Sequence, residues 1–234
     1  MSAVELAALI RAHQPCVVLT GAGISTESGI PDFRSPTGLW ARFDPLDYGS
    51  IESFRADPVR VWEFYGRRFE ALSRAEPNAG HRALAELERR GHVRAVITQN
   101  IDRLHERAGS REVVEVHGSI RTSSCPACGR SYPLEEVLEL LPAPACRDDG
   151  AVLKPDVVFF GELLPEGAIA RAYELVRQAG LVLVVGSTLE VYPVAGLPLE
   201  APRFAIVNVG PTALDDRAAL RVEGKAGEVL PALL

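Results

Sequence analysis

Residues 21–34 read GAGISTESGIPDFR and directly follow an apolar run at residues 16–20, CVVLT. That run has the length and β-branched composition of a buried strand. Closely spaced glycines after a strand let backbone N–H groups approach a phosphate, because no Cβ atom stands in the way. Gly21 and Gly23 fit the opening of the dinucleotide fingerprint, whereas Thr26 takes the place of its third glycine. On the glycines alone, a tight turn between strand and loop explains the pattern equally well.

Composition limits the class of protein. The chain has 234 residues, of which 47% are hydrophobic, and a formal net charge of −6. This length suits one core with a small appendage, and the acidic balance argues against a nucleic-acid-binding surface. No apolar run approaches the roughly 20 residues of a membrane span, and residues 1–13 read as an amphipathic helix rather than a signal peptide. We therefore expect a cytoplasmic protein with no nucleic-acid or membrane partner.

The alternation of apolar runs and helical patterns along the chain predicts the fold class. Buried parallel strands are expected at residues 16–20, 93–98, 113–116, 181–185 and 204–209. Helical patterns lie between some of them, at residues 79–90 after a capping Asn78 and at residues 165–179. This alternation predicts an α/β fold, a Rossmann-like doubly wound parallel sheet. Ligands of such sheets bind at the carboxyl ends of the strands, where this chain has residues 21–34, 98–102, 117 and 186–188.

Four residues in the second half of the chain suggest a metal site. Cys125 and Cys128 form a Cys-x-x-Cys knuckle, whose two thiolates can hold one metal ion. Cys146 opens a second knuckle, in which Asp149 stands where a fourth cysteine is expected. The set predicts a structural Cys3Asp zinc site, with a degraded knuckle as the alternative. Cys16 lies inside a predicted strand and is more simply an apolar core residue.

Two stretches interrupt the rhythm of the sheet, a helical segment at residues 57–75 and the cysteine-bearing residues 119–155. We expect both to be insertions that form a smaller domain facing the sheet. The predicted division gives residues 1–32, 78–118 and 156–234 to a Rossmann-like dinucleotide-binding domain, residues 33–77 to a helical module with the cofactor-binding loop, and residues 119–155 to a zinc-ribbon-like domain.

Six motifs run through the chain: residues 21–25 GAGIS, 30–34 IPDFR, 98–102 TQNID, 116–118 VHG, 154–162 KPDVVFFGE and 186–193 GSTLEVYP. Together they resemble the sirtuins, the NAD-dependent protein deacylases, over almost the whole chain. The resemblance implies that NAD and an acyl-lysine protein or peptide meet in a cleft between a Rossmann-like domain and a smaller domain. In this family the acyl oxygen attacks the nicotinamide ribose and expels nicotinamide. A ribose hydroxyl then takes over the acyl group, giving acylated ADP-ribose.

The resemblance also implies roles for residues. The expected catalytic residues are His117, Asn100 and Asp102. His117 would be the general base, since imidazole titrates near the working pH. Asn100 and Asp102 would face the nicotinamide carboxamide, which presents both a donor and an acceptor; alone, they would read as a cap before a helix at residues 103–108. The expected cofactor-binding residues are Gly21, Ala22, Gly23, Ile30, Asp32, Phe33, Arg34, Trp40, Gln99, Asn100, Ile101, Asp102, Gly186, Ser187, Thr188, Asn208, Val209, Gly210 and Ala226.

The expected substrate-binding residues are Tyr65, Arg68, Val158, Phe159, Phe160, Gly161 and Glu162, the last five as a strand that pairs with an extended peptide. Tyr65 and Arg68 are three apart in a helical stretch and so share one face. This Tyr-x-x-Arg pattern resembles the desuccinylase and demalonylase branch, in which an arginine and a phenol would bind the acyl carboxylate. Asp32 stands where that branch usually has threonine, and the tail at residues 206–216 resembles a branch linked to other acyl groups and ADP-ribosyl transfer.

Two other classes of protein remain as alternatives. A protein ADP-ribosyltransferase or another NAD-using enzyme, such as a dehydrogenase, could be built on the same fold. A dehydrogenase should carry an acidic ribose ligand about 20 residues after the glycine turn, and only Asp44 and Asp47, in a loop-like stretch, lie in that region. A non-catalytic zinc-knuckle module would have no use for a glycine loop of dinucleotide size.

Overall fold

The computed structural model describes residues 2–234. Its strands are β1 Cys16–Thr20, β2 Ala95–Thr98, β3 Val113–Glu115, β4 Gly118–Ser124, β5 Ser131–Pro133, β6 Lys154–Val157, β7 Leu181–Val185, β8 Phe204–Asn208 and β9 Leu220–Glu223. Its α-helices are α1 Ala3–Ala12, α2 Pro45–Gly49, α3 Ile51–Ala56, α4 Pro58–Arg74, α5 Ala79–Arg89, α6 Leu104–Arg107, α7 Leu134–Glu139, α8 Glu166–Gln178 and α9 Ala226–Val229. Its 3-10 segments include Ala22–Ser28, which begins one residue after β1 ends at Thr20.

Six strands form one parallel sheet in the order β3-β2-β1-β7-β8-β9. The chain moves outward from β1 through β2 to β3, then returns to β7 on the other side of β1. The strand order therefore reverses between β1 and β7, which is where doubly wound sheets bind their ligands. The predicted α/β class is confirmed, and residues 21–34 begin at this switch point because they follow β1.

Both faces of the sheet are buried. On β1, Cys16 and Val18 pack in one apolar cluster with side chains from α1 and α5, while Val17 and Leu19 pack in a second with side chains from α8. Each such aliphatic side chain contributes about 1.5–3 kcal/mol of transfer free energy when fully buried. Because neither face meets water, the central strands read as unbroken apolar runs.

The edge strand β9 was not predicted from the sequence. Its residues LRVE alternate between buried apolar and more exposed charged side chains, and such a short mixed segment gives little signal. Charged residues are usual on an edge strand, where they discourage pairing with another chain.

The helical segment and the cysteine-bearing insertion share a third apolar cluster, which includes Phe54, Trp62, Phe69, Ile120 and Tyr132. In the insertion, three antiparallel strands lie in the order β5-β4-β6. The indole Nε1 of Trp62 in α4 donates to the carbonyl oxygen of Leu153, 2.6 Å away. Side chains from two separate stretches of sequence thus form one core beside the sheet. Among the described residues, no helix has the length and apolar character needed to span a bilayer.

Candidate active site

A cleft of about 1370 Å³ lies over the carboxyl ends of the central strands and reaches the smaller unit beside them. Every cofactor-binding, substrate-binding and catalytic residue predicted from the sequence lines it. Sequence reasoning missed several residues of the wall, among them Ser25, Glu190 and Lys225. Ser25 and Glu190 lie inside two of the six motifs, so motif membership was the signal that could have identified them.

The floor of the cleft is made of backbone at the switch point. The N–H of Gly23 donates to the carbonyl oxygen of Gly186 at 2.8 Å, and that of Gly21 to Val185 at 3.1 Å. A Cβ atom at Gly23 would lie 2.8 Å from the Cα of Gly186, which real Cβ atoms essentially never do. Gly186 itself has a φ of 63°, a conformation that favours glycine. The glycines therefore let two loops pack backbone against backbone, which leaves room for a flat or anionic ligand above.

After the 3-10 segment, residues 30–38 continue as a loop along the cleft. Asp32 Oδ1 accepts from the N–H of Ser35 at 2.8 Å, so this carboxylate shapes the loop. The rings of Phe33 and Trp40 lie 5.4 Å apart, centroid to centroid. Arg34 Nε lies 3.2 Å from Glu190 Oε2 in the loop after β7. Because both side chains are more than one-third exposed, this ion pair is weak. An anion that binds Arg34 more tightly would displace the Glu190 carboxylate.

Asn100 and Asp102 form a buried network with Ser25. Ser25 Oγ donates to Asp102 Oδ2 at 2.7 Å, and Asn100 Nδ2 lies 3.2 Å from Ser25 Oγ and donates to the Gly21 oxygen at 3.1 Å. Asp102 Oδ1 also accepts from the N–H of Leu104, the first residue of α6, so Asp102 holds the start of this helix as well as facing the cleft. Burial raises the pKa of Asp102, while its hydrogen bonds oppose that shift. The network fixes one carboxylate and one amide at the inner end of the cleft.

His117 is held in one orientation at the edge of the same cleft. Its Nδ1 lies 3.0 Å from the carbonyl oxygen of Gln99. Because a carbonyl oxygen only accepts, the proton of the neutral ring lies on Nδ1, and Nε2 is left as an acceptor. Burial lowers the pKa of His117, with partial opposition from the bond to Gln99. The ring is therefore neutral at pH 7 and ready to accept a proton at Nε2.

Tyr65 and Arg68 lie on one face of α4 and point into the cleft. The Arg68 guanidinium carbon lies 5.4 Å from the ring centroid of Phe33 and 5.9 Å from that of Phe64. Burial raises the pKa of Tyr65 to about 12 and lowers the pKa of Arg68. Within residues 2–234, neither the Tyr65 hydroxyl nor the Arg68 guanidinium has a hydrogen-bond or ion-pair partner. A largely buried cation among aromatic rings is a suitable site for an anionic group.

Residues 158–162 do not form the strand expected from the sequence, because β6 ends at Val157. The N–H of Val158 donates to the carbonyl oxygen of His117. The N–H of Phe160 then donates to Gly49, and its carbonyl oxygen accepts from Ile51, at 2.7 and 3.0 Å. We call residues 159–162 the peptide-facing turn, after the role that the sequence resemblance implies for them. Contacts with α2 and α3 contribute to its fold, and no local pattern of sequence reveals those contacts.

The metal-ligand candidates lie together in the smaller unit. One ligand atom from each of Cys125, Cys128, Cys146 and Asp149 falls within 4.8 Å of every other. The sulfur atoms of Cys128 and Cys146 are 3.6 Å apart, close to the roughly 3.8 Å between two thiolates on a tetrahedral zinc ion with bonds of about 2.3 Å. Tyr132 donates its hydroxyl to the sulfur of Cys146, which is the outer-shell support that metal thiolates usually have. The set fits a structural zinc ion, as predicted, whereas Cys16 lies apart in β1.

The comparisons with known proteins agree with this geometry. A protein-family model described as "Sir2 family" matches residues 21–193, well over half of the chain. The chain belongs to the Sir2 family. This Sir2 protein is 48% identical over 234 residues to NAD-dependent protein deacylase 2 of Pyrobaculum aerophilum, with 98% of this chain and 94% of that protein covered. It is 49% identical over 227 residues to NAD-dependent protein deacetylase 1 of Geobacillus kaustophilus, covering 94% and 93%.

Solved structures of the family share the whole fold. A Sir2 variant with a deacetylated p53 peptide and 3′-O-acetyl ADP ribose matches with a TM-score of 0.96 at 40% identity, covering 100% of this chain and 97% of that one. Sir2Tm bound to a propionylated peptide matches with a TM-score of 0.90 at 39% identity, covering 99% and 96%. The recognised family is thus confirmed, and the chain is an NAD-dependent protein deacylase.

Proposed function

We propose that this Sir2 enzyme removes acyl groups from lysine side chains of proteins, with His117 as its general base and with Tyr65 and Arg68 selecting acyl groups that end in a carboxylate. The observation that carries the proposal is a phenol and a guanidinium, neither with a polar partner in the described part of the chain, on the wall of the cleft that His117 also lines. The deacylase reaction follows from membership of the Sir2 family, and the preference for acidic acyl groups follows from these two side chains.

The residues of the cleft fit NAD. Backbone at Gly21 and Gly23 leaves room for a diphosphate, and Arg34 needs to give up only a weak ion pair with Glu190 to reach it. At the inner end, Asn100 and Asp102 present an amide and an acid to a carboxamide. When bound, NAD supplies a ribose carbon that accepts the acyl oxygen as nicotinamide leaves. Ser187, Asn208 and neighbouring residues of the loops after β7 and β8 are proposed to hold the adenosine half.

His117 does the proton chemistry. Its Nε2 is free to accept a proton from a ribose hydroxyl, while Nδ1 stays bonded to Gln99. The lowered pKa keeps the base unprotonated at neutral pH, and a general base of this kind contributes about 10²–10⁴-fold to the rate. Phe33 is proposed to cover the reacting carbon against water, since its ring lines the cleft beside Arg68.

The acyl group is proposed to extend toward α4. A succinyl or malonyl tail ends in a carboxylate, and a guanidinium is the side chain that best matches carboxylate geometry. Tyr65 would donate its hydroxyl to the same carboxylate, because its raised pKa keeps it protonated. A Sir2 relative is described as bound to a propionylated peptide. Short neutral acyl groups would occupy the same part of the cleft, beside α4, without using Arg68.

The lysine peptide itself is proposed to lie along the peptide-facing turn. The N–H and the carbonyl oxygen of Gly161 make no hydrogen bond to any residue in the described part of the chain. An extended peptide binds such backbone groups by adding to the edge they form. Zinc held by Cys125, Cys128, Cys146 and Asp149 would stabilise the smaller unit, because all four ligand positions come from the protein.

The proposal is tested by mass spectrometry of matched peptides that carry acetyl-, propionyl-, malonyl- or succinyl-lysine, each incubated with and without NAD. We expect NAD-dependent loss of the acyl group, equimolar nicotinamide, and a higher kcat/KM for the acidic acyl groups. Deacylation confined to neutral acyl groups would refute the role of Tyr65 and Arg68. ADP-ribosylated peptide with an intact acyl group would refute the deacylase reaction itself.

A further inference from the structure

Lys154 stands at the start of β6, and its side chain reaches the peptide-facing turn. Its Nζ lies 3.0 Å from Glu162 Oε2 and donates to the backbone oxygens of Pro155 and Val157, each at 3.0 Å. The ammonium group also lies 4.7 Å from the centroid of the Phe159 ring. Three acceptors around one nitrogen suit the three donors of an ammonium group, in a chain whose cations are otherwise almost all arginine.

Glu162 carries this contact into the turn. The same Oε2 atom accepts from the N–H of Phe159 at 2.8 Å, and the N–H of Glu162 donates back to the Phe159 oxygen at 3.0 Å. The side chains of Lys154 and Glu162 are only 20% and 23% exposed. Salt and water screen such a pair less than they screen a fully exposed ion pair. One carboxylate oxygen thus links an ammonium group to the backbone of the turn.

The residue whose backbone groups are left free by this arrangement, Gly161, lines the cleft. The backbone of Phe160 is occupied by Gly49 and Ile51, and that of Phe159 by Glu162. Gly161 lies between them with a φ of 88°, and its N–H and carbonyl oxygen have no partner within residues 2–234. The direction of these two groups depends on the conformation of the turn, which depends on the carboxylate of Glu162.

We propose that Lys154 is a positioning residue for the acyl-lysine peptide. Through Glu162 it fixes the turn in the conformation that presents Gly161 to an extended peptide. This inference rests on the proposed function, and it concerns the peptide alone, since the predicted cofactor-binding residues lie on other loops. Loss of the ammonium group releases Glu162, frees the N–H of Phe159 and lets the turn relax, so the peptide binds less tightly while the chemistry is unchanged.

The test compares Lys154→Met with Arg177→Met, a matched control that removes one cation of α8 from an exposed ion pair with Glu200. Binding of a fluorescent acetyl-lysine peptide is measured by anisotropy, and steady-state kinetics give kcat and the KM for each substrate. For Lys154→Met we expect the peptide Kd and KM to rise about tenfold, with kcat and the KM for NAD within about twofold of wild type. Arg177→Met should bind like wild type.

Two further variants separate positioning from stability. Lys154→Arg keeps the charge on a planar group and should weaken peptide binding by about two- to fivefold, which keeps the proposal testable if Lys154→Met does not fold. Lys154→Met combined with Glu162→Gln should bind no worse than the weaker of the two single variants, since both break one chain of contacts.

Several outcomes would overturn the inference: an unchanged peptide Kd in Lys154→Met or Lys154→Arg, full additivity in the double variant, or a parallel loss of kcat and of NAD binding. The failure of the proposed function looks different. A wild-type protein that neither binds nor deacylates any acyl-lysine peptide refutes both the proposed function and the role of Lys154. Normal wild-type activity together with an unchanged peptide Kd in Lys154→Met refutes only the role of Lys154.

Discussion

Arg68→Met tests the proposed acyl preference. The substitution keeps most of the length and apolar surface of the side chain, so contacts with Phe33 and Phe64 are largely preserved. It removes a guanidinium that is mostly buried and has no partner within residues 2–234. A succinyl carboxylate would then enter the channel without a counter-charge.

The magnitude follows from the burial of the site. Truncating one partner of a buried, hydrogen-bonded charge pair costs about 2–5 kcal/mol. Taking about 3 kcal/mol, and about 1.4 kcal/mol for each factor of ten, kcat/KM for a succinyl-lysine peptide should fall by about 10²-fold. Acetyl-lysine has no carboxylate, so its kcat/KM should stay within about threefold of wild type. The predicted result is a reversal of preference and not a general loss of activity.

The assay measures kcat/KM for acetyl- and succinyl-lysine versions of one peptide at saturating NAD. Arg67→Met is the matched control, because Arg67 is the exposed neighbour on the same helix and undergoes the same change of charge. It should leave both values unchanged. The reasoning is refuted if Arg68→Met leaves succinyl turnover intact, or if both acyl groups lose activity in the same proportion.

Three further predictions concern the cleft and the metal site. Gly23→Ala places a Cβ 2.8 Å from the Gly186 backbone and should raise the KM for NAD at least tenfold. Gly167→Ala is the control, because its added Cβ has no described atom outside its own helix backbone and chain neighbours within 4 Å, and it should leave this KM unchanged. Equal effects of the two substitutions would contradict the packing argument. Because burial lowers the pKa of His117 and the base acts unprotonated, the acid limb of kcat/KM should lie below about pH 6.5, and a limb above that value would contradict it. Purified protein should contain about one equivalent of zinc, and Cys125→Ser should lower both zinc content and Tm; less than half an equivalent in wild type would exclude the Cys3Asp site.

Local sequence was enough to predict the centre of the fold. Residues 16–20 form a strand that is packed on both faces of the sheet. All its side chains are therefore buried, and the resulting apolar run indicates a buried strand. The glycines that follow are required by a backbone contact, and their spacing is therefore visible in the chain. The Cys125 and Cys128 knuckle was visible for a similar reason, since both ligands come from four consecutive residues.

Contacts between distant residues were beyond such reasoning. Ser25 donates to Asp102, 77 residues away, and no local pattern links the two. The same holds for the peptide-facing turn, which the sequence suggested as a strand and whose conformation depends in part on bonds to Gly49 in α2 and Ile51 in α3. The Tyr-x-x-Arg spacing placed Tyr65 and Arg68 on one face of α4, but only the fold reveals that neither polar group has a partner among residues 2–234.

His117 is the base on which the proposed acyl transfer depends most. The direct measurement is mass spectrometry of an acyl-lysine peptide incubated with NAD and either wild type or His117→Ala, with NAD binding followed by calorimetry. We expect wild type to give deacylated peptide and acylated ADP-ribose. His117→Ala should bind NAD with similar affinity and form these products about 10²–10⁴-fold more slowly. Turnover by His117→Ala at the wild-type rate, or a wild type without NAD-dependent deacylation, would contradict the account.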